Sequence, residues 1–132
     1  ELGFMGLNVN ADYGGTDAGV VSFSLAITEI ARACASTAVT MSVTNMVGEV
    51  IQSVANEEQK QQYLPKLLFG DYAAGSFCLS EQGAGSDPAG MKTKAVKEGD
   101  SWVVNGTKAW ITSAEYAYIC SLGGDRFGCG ER

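Results

Sequence analysis

The chain has 132 residues, of which 45% are hydrophobic and 18% charged, a composition that fits about one folded domain and excludes wholesale disorder. Acidic residues outnumber basic ones by 15 to 9, and the net charge of −6 argues against binding to a phosphate backbone. There is no histidine, which excludes Ser-His-Asp and Cys-His catalysis, His-ligated zinc and an imidazole base within these residues.

The first 19 residues read as loop, with turn signals at Asp12-Tyr13-Gly14-Gly15 and Asp17-Ala18-Gly19. The start, Glu1-Leu2-Gly3-Phe4, has no initiator Met and no signal-type stretch, as if cut from the middle of a longer chain. From Val20 the apolar residues Phe23, Ile27, Ile30 and Ala31 recur at three- and four-residue spacing, which predicts an amphipathic helix over 20–33. Cys34-Ala35-Ser36-Thr37 interrupts it. A second helix follows, with Val39, Val43, Met46, Val47, Val50, Ile51 and Val54 on one stripe that reads as bundle core. Asn56 is placed as the N-cap of a third helix running from Glu57 to about Phe69, with Gln59 completing a variant capping box. Tyr63, Leu64, Leu67 and Leu68 are expected to face inward, Pro65 to divide the helix, and Gly70-Asp71 to close it.

After Asp71 the period shifts toward two. Strands are predicted over 72–80, 91–97, 101–104, 107–112 and 116–122, with a Gly-rich loop over 81–90. Glu98-Gly99-Asp100 reads as a turn and Asn105-Gly106 as a strong hairpin signal. Helices first and antiparallel strands after give an α+β class, with a boundary near 70–74. The tail over 123–132 holds four glycines without an apolar pattern and is expected to fray. No apolar run reaches about 18 residues, so no transmembrane helix is expected. Cys34, Cys78, Cys120 and Cys129 form no C-x-x-C pair. Metal binding is therefore not expected, and Cys34 and Cys78 read as buried thiols in a reducing compartment.

Two segments can carry chemistry. In Phe77-Cys78-Leu79-Ser80-Glu81-Gln82-Gly83-Ala84-Gly85-Ser86-Asp87 a strand runs into a loop with glycines, hydroxyls and carboxylates. Such a loop can bring backbone N–H groups against a flat or anionic ligand, or it can be a plain glycine turn. It is neither a dinucleotide fingerprint, since Pro88 stands where glycine is needed, nor a phosphate-binding loop ending in Gly-Lys-Ser/Thr. In Asn105-Gly106-Thr107-Lys108-Ala109-Trp110-Ile111-Thr112, the Trp offers a stacking surface and Thr112 a donor on the same face. Trp110 alone is equally consistent with an aromatic that closes the apolar face of a sheet. Lys92, Lys94, Lys97 and Lys108 could attract a phosphate but read first as a solvated face.

Six motifs, in order, resemble the acyl-CoA dehydrogenase family: Leu2-Gly3-Phe4-Met5-Gly6-Leu7, Tyr13-Gly14-Gly15, Glu29-Ile30-Ala31-Arg32, the segment 59–67, the loop from Leu79-Ser80-Glu81 to Gly85-Ser86-Asp87, and the segment 105–112. The resemblance runs from Leu2 to about Leu122. It implies part of an N-terminal helical bundle over 1–71, part of an antiparallel β-barrel-like middle domain over 72–122, and an atypical tail over 123–132. Members of the family bind FAD and oxidise the Cα–Cβ bond of an acyl-CoA to the trans-2-enoyl-CoA. They pass electrons to an electron-transfer flavoprotein and are homo-oligomeric at full length.

Carried over by position, the resemblance places Phe77, Cys78, Leu79, Ser80, Gly85 and Ser86 on one side of the flavin. Trp110, Ile111 and Thr112 form the other wall, and Ser86 also reaches the acyl-CoA. The family's catalytic glutamate lies in a C-terminal helical domain, and no acidic residue here inherits its role; Glu29 and Glu81 are poor candidates. The resemblance leans toward short- and branched-chain members, and the reduced thiols suit a cytoplasmic or mitochondrial-matrix setting. An acyl-CoA oxidase or flavin monooxygenase of the same superfamily, or a non-catalytic remnant acting as an interaction module, are the competing readings.

Overall fold

The computed structural model describes residues 2–122 and 128–131. Three helices come first: α1 over Gly19–Ala33, α2 over Ala35–Val54 and α3 over Glu57–Phe69. Short 3-10 turns at Phe4–Gly6 and Ala11–Tyr13 organise the N-terminal loop, and a third lies at Pro88–Gly90. The strands are β1 Gly75–Cys78, β2 Lys94–Glu98, β3 Ser101–Asn105, β4 Ile119–Leu122 and β5 Gly128–Glu131. This is the α+β arrangement expected, with helices preceding strands.

The capping box at the start of α3 is present in full. Asn56 Oδ1 accepts from Gln59 N at 2.8 Å, and Gln59 Oε1 accepts from Asn56 N at 3.1 Å. Gly70 ends the helix at φ 90°, in the left-handed region that glycine enters without a Cβ penalty. Contrary to expectation, α3 runs unbroken through Pro65. An internal proline costs about 3 kcal/mol. Leu64, Leu67 and Leu68 are all buried, and full burial of such side chains returns about 1.5–3 kcal/mol each, which outweighs that cost.

The core joins the helical and strand parts. Val9, Val47, Ile51, Leu64, Leu67, Leu68, Tyr72 and Ile119 form one cluster, with Phe77 packed against its edge. Tyr72, beyond the end of α3, stacks on Tyr118 at 4.5 Å between centroids. The seven-residue stripe expected on α2 is only partly inside: Val47 and Ile51 are buried, whereas Val39, Met46 and Val54 are exposed. The buried face turns instead through Ala38, Met41, Thr44, Asn45 and Gly48. Asn45 explains the rotation. Its Oδ1 accepts from Leu7 N at 2.9 Å, and its Nδ2 donates to the carbonyls of Phe4 (2.8 Å) and Met41 (3.0 Å). It thereby satisfies the N-terminal loop from inside the helix. Thr44 Oγ1 likewise accepts from Gly75 N at 3.3 Å, which docks β1 on α2.

Several local expectations are corrected. Only Cys34, not the whole of 34–37, separates α1 from α2. Cys34 is exposed rather than buried, while Cys78 is buried as expected. The Thr37 hydroxyl donates to Cys34 Sγ at 3.2 Å and holds that thiol below its ordinary value. The sheet order is β1-β4-β5, with β1 and β4 parallel and β4 and β5 antiparallel, so the strands are not all antiparallel. Residues 128–131 pair with β4 rather than fraying; residues 123–127 and 132 lie outside the described residues.

The turn expected at Glu98-Gly99-Asp100 is present, and the hairpin expected at Asn105-Gly106 is the largest correction. β2 and β3 pair antiparallel from Lys94↔Asn105 to Glu98↔Ser101, so the turn is Gly99-Asp100, with Gly99 at φ 61°. No return strand follows Asn105-Gly106, and neither residue has positive φ, which an Asn-Gly hairpin turn requires at both positions.

Candidate functional site

The segments singled out in the sequence meet along one seam. Phe77 and Cys78 belong to β1, and the chain leaves that strand through Leu79 and Ser80. Ala109 N donates to the Ser80 carbonyl at 2.9 Å. The Ser76 hydroxyl donates to the Thr112 carbonyl at 2.6 Å. The exit of β1 and the stretch 109–112 are thus fastened side by side, although they are distant in sequence and the second is not a strand.

Two bulky or polar residues in this stretch, Trp110 (φ 60°) and Ser113 (φ 59°), occupy the left-handed region. A tryptophan there carries roughly 1–3 kcal/mol of backbone strain, which the surrounding fastenings must hold. Its indole is 97% exposed. Ile111 and Thr112 are half-buried, as are Phe77, Leu79 and Ser80, while Cys78 is buried. The hydroxyls of Ser80 and Thr112 have no hydrogen-bond partner among the described residues.

The loop after Ser80 folds tightly. Glu81 and Ala84 exchange backbone hydrogen bonds at 3.2 and 3.0 Å, closing a turn over Gln82-Gly83. Asp87 Oδ1 then caps the 3-10 turn by accepting from Ala89 N at 3.1 Å. Gly85 and Ser86 are exposed between these two features, and no hydrogen bond ties them to either side of the seam.

Sequence reasoning missed the group that braces this site. Lys108, read as a solvated lysine, has only 10% of its side chain exposed, and Glu81 has 8%. Lys108 Nζ donates to Glu81 Oε1 at 2.8 Å and to the Leu79 carbonyl at 3.0 Å. Glu81 also accepts from Lys92 N at 2.7 Å, from Thr93 N at 3.1 Å and from the Thr93 hydroxyl. The hydrogen bonds from Lys108 and Thr93, with those from the backbone amides, hold the Glu81 carboxyl down at about 2. It is therefore ionised and fully engaged at neutral pH, which removes it as a general base. Lys94 and Lys97, by contrast, are exposed on β2 as a solvated face should be.

A separate open recess of about 310 Å³ lies on the helical part, lined by Asn8, Asp17, Glu49 and Gln52 among others. It has no aromatic wall and includes none of the residues chosen from the sequence.

Comparison with known proteins gives two family matches in chain order. The acyl-CoA dehydrogenase N-terminal domain matches residues 1–71, and the acyl-CoA dehydrogenase middle domain matches residues 76–123. The mitochondrial short/branched chain specific acyl-CoA dehydrogenase of Rattus norvegicus is 46% identical over 120 residues, covering 90% of this chain and 27% of the relative. A probable acyl-CoA dehydrogenase of Bacillus subtilis is 43% identical over 118 residues, covering 89% of this chain and 31% of the relative. The glutaryl-CoA dehydrogenase of Mycobacterium smegmatis, solved in complex with FADH2, superposes with a TM-score of 0.86 at 36% identity, covering 92% of this chain and 31% of that one. The chain therefore spans roughly three-tenths of the length of these proteins.

Proposed function

Because this chain belongs to the acyl-CoA dehydrogenase family, we propose that it forms the helical and middle-domain portion, over 1–71 and 72–122, of an FAD-dependent enzyme that oxidises a short or branched acyl-CoA to its trans-2-enoyl-CoA. The observation that carries this reading is the seam. The Ala109–Ser80 and Ser76–Thr112 hydrogen bonds align two polar edges and leave a fully exposed indole beside them.

The residues suit a flavin. An isoalloxazine is flat, apolar on its faces and rich in hydrogen-bonding atoms at its rim. Trp110 presents a large π-surface that nothing among the described residues covers, and an exposed tryptophan in a strained backbone is costly without a ligand to stack on it. Ser80 and Thr112 keep their hydroxyls free for such a rim, whereas the Leu79 backbone is committed within the chain, its N–H to the Phe77 carbonyl and its carbonyl to Lys108 Nζ. Gly85 is exposed, and nothing lies within 4 Å of where its Cβ would stand, so the chain leaves room beside it. Ser86, exposed beside it, is assigned to the acyl-CoA.

The chemistry supplied by bound FAD is acceptance of the hydride that leaves the acyl β-carbon as the α-proton is removed. The chain's own residues bind and orient. The hydroxyls of Ser80 and Thr112 would hold the flavin rim and, as donors, would stabilise negative charge there, most effectively where water is excluded. The proton is taken by a base outside these residues. An electron-transfer flavoprotein would be the electron acceptor, in a reducing compartment such as the mitochondrial matrix or the cytoplasm.

The test is to express the full-length protein, reconstitute it with FAD and titrate it anaerobically with butyryl-CoA and 2-methylbutyryl-CoA. Bleaching of the flavin band with formation of the 2-enoyl product is expected. A full-length protein that binds no FAD would sink the proposal. Rapid reoxidation by O2 would move the assignment to an acyl-CoA oxidase.

A further inference from the structure

The two sides of the seam are held at consecutive residues. Lys108 Nζ binds the Leu79 carbonyl and Ala109 N binds the Ser80 carbonyl, at 3.0 and 2.9 Å. Neighbouring residues of one side thus clamp neighbouring carbonyls of the other. The Lys108 ammonium is fixed in turn by Glu81 Oε1, and Glu81 is fixed by the backbone of Lys92 and by Thr93.

A buried ion pair of this kind is a poor source of stability, because desolvation consumes much of the Coulombic gain, and an apolar pair of equal volume often does as well. What it supplies is direction. A fork of charge-assisted hydrogen bonds defines one geometry, whereas apolar packing tolerates several. Neither side chain belongs to the set assigned to the ligand, and both lie behind it, Lys108 two residues before Trp110 and Glu81 directly after Ser80.

We propose that Glu81 and Lys108 are positioning residues for the flavin, setting the spacing of the Leu79–Ser80 edge against Trp110–Thr112 without touching the ligand. The inference rests on the flavin reading above and adds to it a device that acts from outside the ligand contacts. Because the Leu79 carbonyl is held through Lys108, loss of the ammonium frees that carbonyl even when both charges are removed together.

The experiment compares full-length wild-type protein, Lys108→Met, Lys108→Arg and the double variant Glu81→Gln/Lys108→Met. It measures the thermal midpoint, the FAD dissociation constant and the visible flavin spectrum. Lys108→Met strands the Glu81 carboxylate and should lower the thermal midpoint. The double variant, with no uncompensated charge, should recover most of that midpoint. Flavin affinity should behave differently: weaker by about tenfold or more in both variants, the scale of one lost charge-assisted hydrogen bond, with an altered visible band shape. Lys108→Arg should restore part of the affinity.

If the double variant recovers affinity and spectrum along with stability, or if Lys108→Met changes neither, the pair is structural only and the proposal fails. Should Lys108→Met not fold, the double variant is read directly. Should neither fold, Thr93→Val removes one hydrogen bond to Glu81 and no charge, and an unchanged flavin spectrum there overturns the proposal. Wild-type protein is measured first. If it holds no FAD, the functional reading falls and this inference falls with it; if it holds FAD and the variants match it, only the positioning role is lost.

Discussion

Gly106 lies so close to Thr93 that a Cβ built on it would fall 2.1 Å from Thr93 Oγ1 and 2.7 Å from Thr93 Cβ. Thr93 is buried and cannot swing aside, because its hydroxyl and its amide are both bound to Glu81. The glycine after β3 is thus required by contact with the brace of the site, not by a turn.

The first prediction follows from that contact. In the full-length protein Gly106→Ala should destabilise by about 1–3 kcal/mol, the usual cost of forcing extra volume into a packed site. Gly83→Ala is the control, since nothing lies within 4 Å of its Cβ position and its φ is not left-handed. It should be neutral or stabilising by up to about 1 kcal/mol. Urea denaturation midpoints measure both; equal midpoints would mean that the Thr93 side chain yields.

The same glycine shows where local reading stops. Glu98-Gly99-Asp100 turns as its sequence reads, but Asn105-Gly106, the stronger hairpin signal, does not, and packing on Thr93 decides the shape of that segment. The Asn56–Gln59 capping box was legible because its partners lie three residues apart. The Glu81–Lys108 pair was not legible, because its members are 27 positions apart and a lysine on a short polar stretch looks solvated. The inward face of α2 was misplaced for a related reason. Counting valines ignores Thr44 and Asn45, which are buried because they satisfy backbone groups of β1 and the N-terminal loop. The two segments of the seam were visible as motifs; that hydrogen bonds from Ala109 and Ser76 fasten them was a tertiary fact.

A second prediction concerns Thr112. Its carbonyl is committed to Ser76, whereas its hydroxyl has no partner among the described residues. Thr112→Val keeps the shape and the carbonyl and removes only the hydroxyl. If that hydroxyl serves the flavin rim, the reduced form should lose about 1.5–3 kcal/mol of stabilisation, the worth of a hydrogen bond to a charged group. The midpoint potential of the full-length variant should fall accordingly. A potential identical to wild type, with the fold intact, would mean that the hydroxyl points elsewhere.

A third prediction uses the Glu81 carboxyl, whose value drops from an ordinary 4.5 to about 2 in the folded chain. Because the folded value is the lower one, its contribution to stability is present above about 4.5 and disappears as the pH falls from there through about 2. Other carboxylates titrate over the same range, so the informative quantity is the difference in thermal midpoint between wild type and Glu81→Gln. At pH 7 wild type should melt higher. The gap should narrow steadily below pH 4.5, since a protonated Glu81 and a glutamine are nearly isosteric. A gap that holds constant from pH 7 to pH 3 would show that the Glu81 charge contributes nothing.

The last prediction is that the 132-residue chain, expressed alone, neither turns over acyl-CoA nor holds FAD tightly. Glu29, Glu49 and Glu81 are the carboxylates in which a base is first sought, and each has a hydrogen-bonding or ionic partner. Glu29 is paired with Arg32 at 3.3 Å on the exposed face of α1, and Glu49 accepts from Asn8 Nδ2 at 2.5 Å on the helical part. Glu81 is ionised within its buried brace. Loss of general acid–base catalysis alone typically removes a factor of about 10²–10⁴ in rate. Cofactor affinity should suffer as well, because the chain offers the flavin an open seam, with Trp110 exposed, rather than an enclosed site. The surface itself points to self-association. No residue of α1 is buried, and Val20, Val21 and Leu25 on that helix, with Trp102 and Val104 on β3, are exposed apolar groups that the isolated chain would present to water. Sedimentation should therefore show oligomers or aggregates at micromolar concentration. Flavin fluorescence should be quenched only weakly, and butyryl-CoA should reduce no dye. A stoichiometric yellow monomer with turnover would overturn this and require a base among Glu29, Glu49 and Glu81, which single Gln substitutions would then identify.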